Sequence, residues 1–213
     1  VDAEHDFHRD QRNKRDPSRR IGGQLHEIFH PLRPLSFAGA TMPDAARRLQ
    51  AAVNQLLQAP SDQSLALARA AWTSARQPYL ATEAFRFYEG PIDGPQTPDR
   101  AAGPEPRLNA WPVNEAVIDA VDGRPDAGLV HAFDVPIDRE AVLARDQLSD
   151  EADVTTGWHA IEFLLWGQDR SEAGPGARPS TDFEPGSLAN DRRRAYLALL
   201  VRMLIQDLDW LRE

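Results

Sequence analysis

Two side chains able to ligate a metal lie three residues apart in an otherwise apolar string, Gly157-Trp158-His159-Ala160-Ile161-Glu162-Phe163-Leu164-Leu165-Trp166-Gly167-Gln168-Asp169. Residues at i and i+3 of a helix share a face, so the imidazole of His159 and the carboxylate of Glu162 can converge on one cation. Helical bundles build metal centres from such pairs, completed by donors on facing helices. A buried His and Glu that hydrogen-bond each other, or a neighbouring helix, and only specify packing account for the same spacing. Two ligands do not make a complete site. A second group, Glu83, Arg86, Glu89 and Asp93, sits among the aromatics of Pro78–Asp93. Glu83 could add an oxygen ligand to the first pair. The alternative is an amphipathic helix end in which Phe85, Phe87 and Tyr88 pack and the charges are solvated.

His26-Glu27-Ile28-Phe29-His30 spells H-E-x-x-H, the zinc-protease helix motif. Its context is poor, because Pro31 directly follows the second His and Gly22 and Gly23 weaken the start of any helix. A chance match is expected. His5 and His8 lie in a polar tail, and His131 beside Phe133 reads as structural. There is no Gly-rich phosphate loop, no G-x-S-x-G elbow and no dinucleotide fingerprint, so nucleotide-dependent chemistry is not expected.

The composition narrows the remaining classes. The 213 residues are 41% hydrophobic and 27% charged, which suits a globular chain. A net charge of -9 opposes binding to a polyanion, so nucleic acid is not an expected partner. With no cysteine, any metal must be held by His, Asp or Glu. The most apolar stretch, Ala195–Ile205, is short and interrupted by Arg202, so no transmembrane segment is expected.

The elements that must position these groups are helical. Residues 1–40 show no periodicity and are read as a poorly structured leader, with the helical domain spanning 41–213. Thr41 and Asp44 at cap spacing begin a pattern through Ala45, Leu49, Val53 and Leu56 that ends at Pro60. Ser61 caps a second helix with the stripe Leu65, Ala68, Trp72, Ala75 and Tyr79, which Pro78 should kink or stop. Gly90–Asp138 holds eight of the 17 prolines and forms a long excursion, for which Trp111, Val113, Val117, Ile118 and Phe133 offer apolar anchors. Further helices are expected over Asp138–Leu148 and Val154–Gly167, the latter stacking Val154, Trp158, Ile161 and Leu165. A Pro/Gly-rich connector precedes a last helix with the stripe Leu197, Leu200, Val201, Leu204, Leu208 and Leu211, its Arg192, Arg193 and Arg194 polar. No alternating segment competes, so the fold class is all-α, a helical bundle with a long Pro-rich inserted connection.

The string GWHAIEFLLWGQD, with RQPYLATEAFRFYEGPID, LNAWPVNEAVID, GARPSTDF and RRRAYLALLV, closely resembles the imelysin family from about Leu65 onward. The hallmark Gly-x-His-x-x-Glu falls on Gly157, His159 and Glu162. The resemblance implies a two-bundle all-α protein, bacterial, periplasmic or associated with the outer membrane, and tied to iron acquisition with other cell-envelope components. It implies a metal ion held by His159 and Glu162, iron first and zinc as the alternative, joined by a carboxylate from an earlier helix for which Glu83 is the positional candidate. Trp158, Trp166, Arg86, Asp93 and Trp111 fall in the matching strings as supporting residues. The family was named for a metallopeptidase, yet its hallmark lacks the second His of a zincin helix, so peptidase chemistry stays an alternative beside a non-catalytic interaction module. Because members generally continue into a second bundle, the chain reads as an N-terminal fragment.

Overall fold

The computed structural model describes residues 42–83, 86–98, 101–170 and 174–211, all within the compact unit Ser36–Glu213. The leader 1–40, with His5, His8 and the His26–His30 string, lies outside the described residues, as does Thr41. The two long helices of the first half are α1, Met42–Gln58, and α2, Asp62–Leu80. The turn between them is fixed by Ser61, whose Oγ accepts the Ser64 N–H at 3.1 Å while Ser64 Oγ accepts the Ser61 N–H at 3.0 Å. This reciprocal cap satisfies two amide donors that the first helical turn would leave orphaned. Pro78 sits inside α2, which ends two residues later at Leu80.

The excursion contains α3, Glu105–Asn109, a 3-10 turn at Glu115–Val117 and α4, Gly128–His131. Its anchors are only in part those its composition suggests: Ile118 is one of them, and Val113 and Val117 pack partly buried against the core. Leu108, Ile118 and Val130 are fully buried, whereas Trp111 is 72% and Phe133 53% exposed. The buried aliphatics lie on short helical turns that face the bundle, while Trp111 and Phe133 follow the ends of such turns, where the chain faces water.

Two expected helices are shorter than their periodicity. Residues 138–148 yield only α5, Arg139–Leu143, capped by Asp138. Beyond it the chain reverses through Gln147 at φ 53°, with the Gln147 N–H bonded to Asp153 O. That reversal brings the Asp146 carboxylate onto the Thr155 N–H and the hydroxyls of Thr155 and Thr156. Val154–Thr156 is thereby held extended, and α6 runs Gly157–Trp166. After a 3-10 turn at Ser180–Phe183, α7 covers Leu188–Trp210.

Four helices close a ring, α1 on α2, α2 on α6, α6 on α7 and α7 back on α1, with α3 lying on α6 and α4 on α7. The core takes the expected stripes of α2 and α7, and places Trp158, Ile161, Leu164 and Leu165 of α6 at its centre. Among the described residues there is no strand, only an isolated bridge between Val121 and Arg124. No described helix is long and apolar enough to cross a membrane.

Candidate functional site

Gly157 sets where α6 begins. Its φ is +77°, and a Cβ there would stand 2.4 Å from the carbonyl oxygens of both Arg107 and Leu108. Only glycine permits that backbone approach. Thr156 Oγ1 donates to Arg107 O at 3.0 Å, so the start of α6 is joined to α3 by contact and by hydrogen bond. The far end is tied by Arg69, whose Nε and Nη2 donate to the Leu165 carbonyl at 3.1 and 2.9 Å. A cation on the last carbonyls also suits the helix dipole. Trp158 is fully buried and its carbonyl accepts from Trp72 Nε1 at 3.1 Å, while Trp166 packs edge-on against Trp72. These contacts explain the tryptophans of the string as fixing the helix that carries His159 and Glu162.

His159 and Glu162 do meet. Nδ1 of the imidazole is 3.0 Å from Glu162 Oε2, the His side chain being 14% and the Glu side chain 42% exposed. The other ring nitrogen, Nε2, is 3.2 Å from Arg76 Nη2. A guanidinium can only donate. Nε2 must therefore accept, and the ring proton belongs on Nδ1, which donates to Glu162. Trp111 stacks on the same ring with centroids 4.9 Å apart. Since Trp111 is largely exposed, it lies on the outer side of the imidazole.

Behind His159 a polar network runs from α2 to α3. Arg76 Nη2 also donates to Asn109 Oδ1 at 2.8 Å, and Asn109 Nδ2 donates to Glu105 Oε1 at 3.2 Å. Glu105 further accepts from Arg86 Nη1 at 2.7 Å and from the Tyr79 hydroxyl. Burial and the adjoining Glu105 carboxylate push the Tyr79 phenol well above its ordinary pKa, which keeps it a proton donor to Glu105. Arg86 is 5% exposed and lies over the Tyr79 ring at 5.0 Å. Arg76 packs over Trp72 and, among the described residues, makes no ion pair with a carboxylate. Burial pulls its guanidinium below the ordinary arginine value, offset in part by the charge of Glu162.

The structure separates the remaining sequence candidates from this pair. Glu83 is exposed on the turn after α2, where its backbone carbonyl accepts the Arg86 N–H. Among the described residues no three His, Asp or Glu side chains are grouped to hold an ion, so Glu83 is not brought to His159 and Glu162. Asp93 organises a loop instead, accepting the N–H groups of Phe87 and Gly90. Arg86, read as a solvated charge in the amphipathic alternative, is buried against Glu105. Arg76, Asn109 and Glu105 were not singled out by spacing, and Tyr79 was read only as part of the apolar stripe of α2. Arg76 and Tyr79 stand in RQPYL and Asn109 in LNAW, but nothing local to those strings shows that α2 and α3 meet beside α6.

A second polar node holds α7 in place. Asp119, fully buried, accepts from Arg193 Nε at 2.6 Å and pairs with Arg178 Nη2 at 3.0 Å. His131 Nε2 lies 3.3 Å from the same carboxylate without forming a hydrogen bond to it. Arg193, expected to stay in solvent, is thus 5% exposed, because the excursion delivers a carboxylate to it.

The family model of imelysin matches residues 40–213, which contain every element described above. The chain belongs to the imelysin family. No curated protein matches it. The match includes the Gly157, His159 and Glu162 positions.

Proposed function

We infer that this imelysin-family chain is a metal-binding protein of the bacterial cell envelope that serves iron acquisition, with His159 and Glu162 as its ligand pair. The observation that carries the reading is the 3.0 Å approach of His159 Nδ1 to a half-exposed Glu162 Oε2 on one fixed helix face. That separation lies within the span of two donors bound to one ion at about 2.1 Å each. One imidazole and one carboxylate suit iron or zinc. They fit part of a coordination sphere, and the described residues group no third acidic or imidazole donor with them. Glu83 is left out of the ligand set on that ground. The ion supplies charge and open coordination positions. The chain supplies an imidazole stacked against Trp111, whose proton passes from Nδ1 to Nε2 when Nδ1 takes the ion and so releases the hydrogen bond from Arg76, and a carboxylate able to turn from the ring to the ion.

Iron and the periplasmic or outer-membrane location rest on the family alone. A peptidase reading gains nothing from the geometry, because the carboxylate beside the imidazole is needed as a ligand and no second His joins it among the described residues. Anaerobic isothermal titration with Fe2+ tests the proposal. The unaltered chain should bind, and His159→Ala should lose at least tenfold in affinity while keeping its helical circular dichroism. Equal affinity in both removes the reading.

A further inference from the structure

Cationic donors of the polar network behind His159 remain idle, as does the indole N–H of the neighbouring Trp158. Arg76 Nη1 and Arg86 Nε and Nη2 are shut off from water and have no hydrogen-bond partner among the described residues. Burying polar N–H groups unpaired is costly, and for a guanidinium more so than for a neutral amide. The two residues differ in their charge balance. Arg86 has the Glu105 carboxylate at 2.7 Å, whereas Arg76, in contact with the ligand imidazole at 3.2 Å, has no carboxylate of its own. A bare cation placed at His159 would therefore sit close to a guanidinium whose charge is offset only in part, by Glu162, the proposed ligand itself, and the two cations repel. The charges of Arg76 and Arg86 already balance those of Glu105 and Glu162, so an added Fe2+ or Fe3+ leaves a positive excess in a half-buried place.

One kind of ligand answers all of these features. An oxyanion bound to the metal would fill coordination positions that the protein leaves open, neutralise the excess charge and accept from idle guanidinium N–H groups. The planar fork of arginine matches a carboxylate in two-point geometry. We propose that this site takes its ion together with a carboxylate-bearing chelator, and that Arg76, backed by Arg86, is the residue that binds the chelator. The proposal rests on the metal-binding reading above. Entry needs local opening, and Trp111, 72% exposed and stacked on the outer side of His159, is the side chain placed to swing.

Citrate provides the probe. In solution it competes for the ion, so a site for bare iron loses apparent affinity when citrate is added, whereas a site for the pair gains. Anaerobic titrations of the full chain with Fe2+ alone, citrate alone and the equimolar mixture should show the mixture binding at least tenfold more tightly than Fe2+ alone. Arg76→Gln should abolish that advantage, and Arg76→Lys, which keeps the charge without the fork, should retain part of it. Binding of Fe2+ that is weakened by citrate in the unaltered chain overturns the proposal and leaves the metal-binding reading standing, without recourse to any variant. An advantage unchanged in a folded Arg76→Gln chain overturns the assignment to Arg76. Failure of both Fe2+ and the mixture to bind removes the metal-binding reading and this proposal with it, whereas citrate binding that the metal does not improve overturns this proposal alone.

Discussion

Arg193 and Arg76 are arginines on two bundle helices, each reaching toward the interior, and they end in opposite surroundings. Arg193 finds Asp119 at 2.6 Å, the Asp182 carbonyl at 3.0 Å and Asn190 at 2.9 Å, so each of its nitrogens donates. Arg76 finds an amide oxygen and an imidazole nitrogen, no carboxylate, and keeps one nitrogen idle. Fully paired buried charge holds elements together, here α7 against the excursion. Charge left short of its counterion beside a half-exposed His–Glu pair is what a binding site looks like before its ligand arrives. On the reading proposed above, the chain separates a structural from a functional arginine by supplying a carboxylate to one and withholding it from the other.

Removing the supplied carboxylate should have the largest effect. Asp119→Ala leaves Arg193 and Arg178 buried without their shared partner and is expected to cost about 3–5 kcal/mol in urea denaturation. A cost under about 1 kcal/mol would show that the node contributes little. The same carboxyl gives a pH signature. Burial pushes its pKa up, but the Arg193 hydrogen bonds and the charges of Arg178 and Arg193 outweigh this and hold it below the ordinary aspartate value. A carboxyl whose folded pKa lies below its unfolded value of about 3.9 stabilises fully above that pH, and the contribution is lost as pH falls through the folded value. Stability from this group should be constant from neutrality to about pH 5 and fall in acid. Asp119→Asn should lack that acid limb, which pH-dependent melting will show.

Next in size is the junction that aims His159. Gly157→Ala would place a Cβ 2.4 Å from two backbone carbonyl oxygens at a left-handed φ. Backbone cannot yield as a flexible side chain can, so about 2–4 kcal/mol of destabilisation is expected. If the variant folds with α6 displaced from α3, iron affinity should fall with it although both ligands remain. Unchanged stability would mean that α3 does not press on α6 as described.

The four bundle helices were legible because their apolar stripes repeat at helical spacing: Leu65, Ala68, Trp72, Ala75 and Tyr79 are all buried as their period requires. Ser61 was legible as a cap for the same local reason. His159 and Glu162 were readable as neighbours because one helix turn joins them. What failed was whatever depends on contacts between distant segments. Trp111 was read as an anchor by its apolar character, yet its place is on the surface against His159. Glu83 was chosen for its position before α6 in the chain, but the turn after α2 carries it into solvent. The carboxylate that does enter the network, Glu105, lies in a Pro-flanked stretch whose short helix has no periodicity to announce it. Arg193 looked polar and exposed on its helix wheel, and became buried only because Asp119 arrives from 74 residues away.

The smallest expected effect is also the sharpest test of the contrast between the two arginines. Arg76→Met keeps an unbranched stem that extends to about the Nε position and removes the charge. It forfeits the donation to Asn109, the contact with His159 and the packing of the guanidinium over Trp72. Against these losses stands the release of a buried N–H with no partner and of a charge with no carboxylate. Replacing incompletely paired buried charge by apolar volume is often close to neutral. The net change in urea denaturation should therefore lie within about 1 kcal/mol, while Arg193→Met costs about 3 kcal/mol by leaving the buried Asp119 with Arg178 as its remaining ion-pair partner. Should Arg76→Met cost as much as Arg193→Met, Arg76 is a structural arginine after all, since a side chain kept for a ligand should be nearly dispensable to the fold that presents it.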